Sequence, residues 1–493
     1  MTSSDAAADV DLATSLARRM AGPQRHRLLQ GFPAVPLMRR GASFPEGRRR
    51  LDGALADASE PAFIEIDRAR KLIVGLIPHT MCTPKVQGCG FCTFGQDRYQ
   101  RPRMKAAMTN LRLELDALAQ SGHDFRGRDV EAVYFGGGTA NLAPIGELDE
   151  AFARLASIMN LRDAELTLEG VPSLFLSRFS AALRWLAKLP VRRARISMGV
   201  QTFDPEQLRR MGREAFGDAA LVARVVREAR KRGIGTSGDF LFDLPHQTRA
   251  QMLDDLERAI AIGFDQICIY HLVLFEGLGT PWSRSPEQLA GLPSNAEGLG
   301  NWLALREALL AAGYVQTTLT NFERADIHRS EQRFRYEALS FSPDQVDGLG
   351  LGPLSISTFV DLPRRRAVKL LRSRETYEDP PTYWNDLYFA YEAPDLELLY
   401  LTRTLARLGW RGAEYRARFG VALESAQAEA VAAIVDAGLA IRAGEDIELT
   451  PTGMFYADSI AGLIAERRVD DLREAGAGAH TQHLVAHQHL HMG

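Results

Sequence analysis

Three of the four cysteines in this 493-residue chain fall within eleven residues, Cys82-Thr-Pro-Lys-Val-Gln-Gly-Cys89-Gly-Phe-Cys92. Thiolates are soft ligands that select iron–sulfur clusters or zinc. A structural zinc site asks for a fourth ligand at compatible spacing. The remaining Cys268 lies far along the chain, although His79 is close to the cluster in sequence. A cubane cluster held by three cysteines would leave one iron open to a substrate or cofactor. The alternatives are a zinc knuckle or plain buried thiols.

Other polar residues fall where strands should end. A run Tyr134-Phe-Gly136-Gly137-Gly138-Thr139 follows one apolar segment, and glycines let backbone approach a polar ligand closely. Taken alone, such a run is equally a tight turn. Glu169 and Gln201 end the next two apolar segments, and Asp239 lies within a further one. Four successive segments each bring a polar or glycine-rich feature towards one rim.

The elements that must position these residues are short β-branched runs alternating with segments of helical period. Strands are expected at 71–77, 131–135, 165–168, 195–200, 236–242 and 266–272. Helices are expected at 105–120, 145–159, 174–189, 218–232 and 250–262. Such alternation predicts parallel strands with right-handed crossovers and chemistry at their C-terminal ends. Six strands are too few for a full eight-stranded barrel. A helix at 295–312 and a strand at 314–321 could extend the sheet; the glycine-rich Gly348-Leu-Gly-Leu-Gly run follows. Helices at 395–408 and 423–437, with a strand pair at 440–449, suit a small helical domain with a wing. The boundaries read as an N-terminal arm (1–68), the strand–helix unit (69–325), an extension and linker (326–391), the helical domain (392–475) and a tail (476–493). That tail carries His480, His483, His487, His489 and His491.

A formal net charge of −3 and a hydrophobic fraction of 46% describe an ordinary globular protein. Nucleic-acid binding is not expected, because a dedicated binder usually carries a net basic footprint. No stretch approaches the roughly 20 apolar residues needed to span a bilayer. Residues 1–20 lack the apolar core of a secretory signal, so a cytoplasmic location is expected. Only six lysines occur among 59 basic residues.

The order of motifs resembles the radical S-adenosylmethionine (radical SAM) superfamily, and within it the oxygen-independent coproporphyrinogen III oxidase-like family. The matching stretches include Ile77-Pro-His-Thr-Met-Cys82 with Cys89-Gly-Phe-Cys92, Gly136-Gly-Gly-Thr139, Leu168-Glu169-Gly-Val-Pro172 and Ser197-Met-Gly-Val-Gln201. Met211-Gly-Arg213, Gly238-Asp239-Phe-Leu-Phe-Asp-Leu-Pro245, Gly348-Leu-Gly-Leu-Gly and Leu449-Thr-Pro-Thr-Gly453 continue the series over residues 70 to 465. The sequence departs from the pattern in three places. The first cysteine gap is six residues instead of three, no tyrosine shortly precedes Cys82, and Ala140-Asn141 follows the glycine run where proline is common. These departures leave the radical chemistry in place and open the identity of the substrate.

The resemblance implies an incomplete (β/α)6 radical SAM barrel, an α/β fold with an N-terminal arm and a C-terminal helical, winged-helix-like domain. It implies a [4Fe-4S] cluster on Cys82, Cys89 and Cys92, and S-adenosylmethionine, one molecule or two. Gly138 and Thr139 would lie against the methionine end of that nucleoside, and Glu169 would contact the first molecule. Phe91, Gln201, Arg213 and Asp239 resemble residues that contact a second. The implied partners are a small-molecule substrate and a low-potential electron donor such as flavodoxin or ferredoxin; a monomer is expected. Three functions follow: a radical oxidase or decarboxylase acting on a tetrapyrrole or other small molecule, a methylase or cyclopropane-forming enzyme, and a non-enzymatic haem-binding or delivery protein.

Overall fold

Alternating β-branched runs and amphipathic segments become strands and helices, in that order, in the computed structural model. The structure describes residues 11–24, 31–40, 67–94, 97–121, 125–372 and 387–475. The expected strands are β1 (Lys71–Leu76), β2 (Val130–Phe135), β3 (Glu165–Gly170), β4 (Arg193–Gln201), β5 (Gly235–Phe242) and β6 (Gln266–His271). They pair in parallel in chain order. The helices between them are α1 (Arg101–Ser121), α2 (Ile145–Ile158), α3 (Ser177–Leu186), α4 (Ala219–Arg230) and α5 (Arg249–Ile262). A Thr248–Gln251 capping box starts α5 and left-handed Gly263 ends it. The helix expected at 174–189 is broken: Pro172–Phe175 forms one turn, and α3 opens through left-handed Arg178, Phe179 and Ser180.

The sheet extends beyond these six strands on both sides. The segment expected as one strand at 314–321 is two, β7 (Tyr314–Gln316) and β8 (Asn321–Arg324), which pair antiparallel. The break has a local cause, since the Thr318 hydroxyl accepts from Asn321 N and donates to Asn321 Oδ1, closing a side-chain turn. β8 then adds antiparallel to β6. On the far side β9 (Val346–Leu351) lies parallel to β1 and supplies a seventh parallel strand. It is the Gly348-Leu-Gly-Leu-Gly run, and Gly350 has no room for a Cβ against the backbone of Ile356. Antiparallel β10 (Ile356–Asp361), β11 (Arg366–Leu371) and β12 (Leu387–Tyr391) follow on that side, and the two-residue strand Arg39–Arg40 pairs antiparallel with β12 at the edge. Among the described residues the sheet ends in two edges and does not close into a ring.

Period two along each strand separates two faces. Leu72, Val74, Val133, Leu166, Ile196, Phe240 and Ile267 pack with the helices into the main core. The opposite face carries Tyr134, Glu165, Glu169, Arg195, Ser197, Ser237, Asp239 and Cys268, linked by side-chain contacts across neighbouring strands. Parallel sheets usually bury apolar side chains on both faces. A polar face is therefore the signature of an interior built around a ligand.

Helices α6 (Asn295–Ala311), α7 (Ala393–Thr404), α8 (Ala428–Asp436) and α9 (Ala457–Glu474) follow, with a three-stranded wing from Gly409–Trp410, Ala440–Ala443 and Asp446–Leu449. From the N-terminal arm, helix Leu12–Ala21 meets α9 through Arg18 and Arg19, 2.6 and 2.9 Å from Glu466. The five tail histidines lie outside the described residues. No helix among the described residues is long and apolar enough to cross a membrane.

Candidate functional site

The cysteine loop leaves the C-terminal end of β1 and is fixed by its own backbone. Met81–Cys82 pairs with Asp97–Arg98, Thr80 Oγ1 donates to Asp97 Oδ2 at 2.5 Å, and Met81 N donates to His79 Nδ1 at 3.1 Å. Gly88 and Cys89 are both left-handed, with φ of 57° and 54°, so the chain doubles back and Cys92 N reaches Gly88 O at 2.8 Å. Left-handed backbone is uncommon for a residue with a Cβ. The longer first gap is accommodated by packing. Lys85 N donates to Gly212 O at 3.0 Å, and Phe91 sits 5.6 Å from the Trp282 ring, which also covers Gly90.

Donors from two segments outside the loop reach the sulfurs. Thr139 Oγ1 lies 2.9 Å from Cys82 Sγ, and the buried Arg213 directs Nη1 to Cys89 Sγ at 3.3 Å. Burial pushes the Cys82 thiol up and the Cys92 thiol up to about 12, with the neighbouring cysteines adding to both shifts. Thiolates so crowded need a positive partner. Among the described residues no three His, Cys, Asp or Glu side chains are gathered as ligands of a single metal ion. A cubane asks for something else, one thiolate on each of three irons. Three cysteines on one loop, with a hydroxyl and a guanidinium on their sulfurs, fit such a cluster. Cys268 stays apart, accepting from Asn321 Nδ2 at 3.0 Å in the strand interior.

The glycine run is shaped by this loop. A Cβ on Gly138 would sit 2.6 Å from Met81 O, and one on Gly137, where φ is 116°, 2.8 Å from Ile77. One on Gly136 would sit 2.8 Å from Glu169 Oε2. The three glycines thus let β2, the cysteine loop and Glu169 converge. Asn141, just after the glycine run, bonds both Val171 O (3.1 Å) and Val171 N (3.2 Å), clamping the exit of β3.

Glu169 is pushed up to about 8 by burial and then by nearby Asp239, while Gly137 N and the Tyr134 hydroxyl oppose the shift. Asp239 is pushed up to about 6 by burial, against hydrogen bonds from Ser197 (2.7 Å) and Cys268. Two carboxyls in such surroundings favour a cationic or hydroxyl-bearing ligand. Gln201 and Arg213 flank Gly199: a Cβ there would lie 3.1 Å from Gln201 Nε2 and 3.5 Å from Arg213 Nη2. Gly199 is the register partner of Asp239, so these residues share one neighbourhood. Arg213 does not pair with Asp239 among the described residues. It donates to Gly199 O and lies 4.6 Å over the Phe216 ring.

Sequence reasoning missed the support beneath these groups. Arg195, fully buried, binds Glu165 (3.1 Å), both oxygens of Glu337 (2.8 Å each) and Gln266 (3.1 Å), and stacks 4.0 Å from Phe334. Tyr134 stacks on Tyr336 at 4.7 Å. Period-two alternation was the available signal, since Glu165-x-Thr167-x-Glu169 and Arg195-x-Ser197 run polar along one face.

An open parallel sheet with a three-cysteine loop after its first strand is the arrangement the resemblance implies, and residues 78–259 match the family model described as the radical SAM superfamily. Over these residues the chain is similar to that superfamily, and it is similar to its coproporphyrinogen III oxidase-like members. It is 31% identical over 285 residues to an oxygen-independent coproporphyrinogen III oxidase of Bradyrhizobium diazoefficiens, covering 54% of this chain and 59% of that protein. It is 27% identical over 196 residues to the heme chaperone HemW of Haemophilus influenzae, covering 38% of this chain and 49% of that one. The chain thus spans about half to three fifths of these two relatives. The solved coproporphyrinogen III oxidase (HemN) of Escherichia coli superposes with a TM-score of 0.64 at 20% identity, over 81% of this chain and 91% of that one. That likeness is one of fold.

Proposed function

We propose that this protein is a radical S-adenosylmethionine enzyme that oxidises or decarboxylates a tetrapyrrole or another small molecule. The observation that carries the reading is the set of contacts at one rim: Thr139 on Cys82, Arg213 on Cys89, and the glycine run joining that loop to Glu169. Cys82, Cys89 and Cys92 would hold a [4Fe-4S] cluster. When bound, the cluster and S-adenosylmethionine supply a 5′-deoxyadenosyl radical once a low-potential donor delivers an electron. Thr139 and Arg213 would orient the sulfurs of Cys82 and Cys89. Glu169 is suited to the ammonium of the methionine moiety, and Asp239, held by Ser197, to ribose hydroxyls. Gly138, Gln201 and Phe91 complete the cofactor wall. Tyr134 and Tyr336 exclude water from the interior beside Glu169.

Anaerobic reconstitution followed by mass spectrometry with candidate tetrapyrroles tests this reading. The expected products are 5′-deoxyadenosine and a substrate lighter by carbon dioxide. A substrate heavier by a methyl or methylene unit would assign the chain to the methylases. The relative named as a heme chaperone supports a second reading, haem binding without turnover. Tight stoichiometric haem binding with no substrate conversion would favour it.

A further inference from the structure

The stretch that follows the cysteine loop is basic. Arg98, Arg101, Arg103 and Lys105 fall within eight residues, and Asp97 is the only acid between Thr83 and Leu113. Asp97 is buried, accepting from Thr80 and lying 3.3 Å from Arg103, so its charge faces inward. Arg98, Arg101 and Lys105 are exposed. Further along α1, Arg112 lies 2.7 and 3.1 Å from Glu147 and Glu150, which bounds the basic face. The whole chain carries a formal net charge of −3, so this is a local concentration and not a general excess.

Its position matters more than its charge count. Arg98 is the register partner of Cys82 in the short parallel pair of Met81–Cys82 with Asp97–Arg98. Neighbouring strands lie about 4.8 Å apart, and register partners point their side chains to the same side. The exposed Arg98 therefore stands beside a residue assigned to the cluster. Tyr99, 45% exposed, is next to it, and exposed Tyr and Arg are the residues that most often anchor interfaces. Arg101 and Lys105, four residues apart, share one face at the start of α1. Lys85, on the cysteine loop itself, is joined to Glu214 at 3.4 Å and adds little net charge. Electron transfer slows steeply with distance, so a carrier protein must seat close to the cluster ligands.

We propose that Arg98, Tyr99, Arg101 and Lys105 form the docking surface for the electron donor, a small acidic protein that carries one low-potential electron. Naming the partner as the donor rests on the reading of the chain as a radical enzyme. The affinity of this face for an acidic protein does not. Carboxylates of the partner meet Arg98, Arg101 and Lys105 around Tyr99, in the small, salt-sensitive kind of contact that transient electron-transfer pairs make. One electron leaves the partner's reduced cofactor and enters at the Cys82 edge of the loop, with no atom transferred.

An acidic flavodoxin is the probe, mixed with the anaerobic, cluster-loaded protein. Calorimetry with the oxidised flavodoxin reads binding, and stopped-flow absorbance with its hydroquinone reads electron transfer. Saturable binding that weakens as salt rises is expected. Arg101→Glu combined with Lys105→Glu should weaken binding by about tenfold and slow electron transfer likewise. Reduction by dithionite, which needs no docking, should keep its wild-type rate in that variant. A glutamate at the first helical position suits the helix dipole, so folding is not put at risk. Lys105→Glu alone should weaken binding less than the pair of changes. Lys188→Glu makes the same change of net charge ahead of β4, at the opposite end of the sheet, and should leave both readouts unchanged. No saturable binding, binding insensitive to salt, a double variant that binds like the wild type, or an equal loss in Lys188→Glu would overturn the proposal. If dithionite yields 5′-deoxyadenosine while flavodoxin binding ignores these charges, the surface fails and the radical reading stands. Charge-dependent binding without 5′-deoxyadenosine gives the converse.

Discussion

Arg213 reaches Cys89 and leaves Asp239 alone: its Nη1 lies 3.3 Å from the Cys89 sulfur, across 124 residues of chain. Through that contact Arg213 acts on the cysteine loop as much as on any ligand. Arg213→Leu should lower iron loading of the reconstituted protein by roughly tenfold at limiting iron, since a hydrogen bond to a charged group contributes about 1.5–3 kcal/mol. Arg213→Lys should recover part of it. Iron and sulfide analysis checks both variants.

Gly138→Ala tests the close approach of the glycine run. Its Cβ would press on Met81 O, and backbone cannot rotate away as a side chain can. The expected cost is about 1–3 kcal/mol, read as a lower unfolding midpoint together with weaker visible absorption of the cluster. Gly146→Ala, where nothing lies within 4 Å, is the matched control.

Glu169 links stability and ligand affinity to pH. Burial raises its carboxyl from the usual 4.5 to about 8 in the ligand-free protein, so between these values the native state binds more protons than the unfolded chain. Stability is then fully present below about pH 4.5 and is lost as pH rises through about 8. Glu169→Gln should flatten that slope in urea titrations. Binding of S-adenosylmethionine should tighten over the same range as the carboxylate forms, and Glu169→Gln should weaken it by about 10- to 100-fold. Affinity independent of pH in the wild type would count against the assignment.

The six parallel strands were legible because their β-branched runs are separated by helices of clear period, and Cys82, Cys89 and Cys92 because their spacing is local. Glu169 and Asp239 stand out as single polar residues in apolar strands. What stayed hidden depends on distant partners. Arg195 meets Glu337 across 142 residues, and nothing local at either position marks the pair. β9 was illegible as a strand because glycine replaces the side chains that usually announce one. β11 lies in a basic, proline-containing stretch whose pattern favours a linker. Arg213 does not pair with Asp239, because Gly199 O and Cys89 hold its guanidinium.

Gln201, Arg213 and Asp239 gather around Gly199, and family resemblance implies contacts there to a second S-adenosylmethionine. Equilibrium dialysis of the anaerobic holoprotein should then give two molecules per cluster, and Asp239→Ala should leave one. A single site in both proteins would remove the second cofactor from the account.

Arg195→Met should be the most destabilising of these changes. It leaves Glu165 and Glu337 buried without their cation, a loss of about 3–5 kcal/mol. Denaturant unfolding measures it directly, and a midpoint within error of the wild type would show that the network contributes little.

Cys82, Cys89 and Cys92 are proposed to hold a cluster that cleaves S-adenosylmethionine. The most direct measurement is 5′-deoxyadenosine by mass spectrometry after anaerobic reconstitution and addition of a strong one-electron reductant, without substrate. Wild type should form it, and Cys89→Ala, with at most residual iron, should not. A fully loaded wild type that forms none, or a Cys89→Ala protein that forms as much, would show that these cysteines do not hold such a cluster.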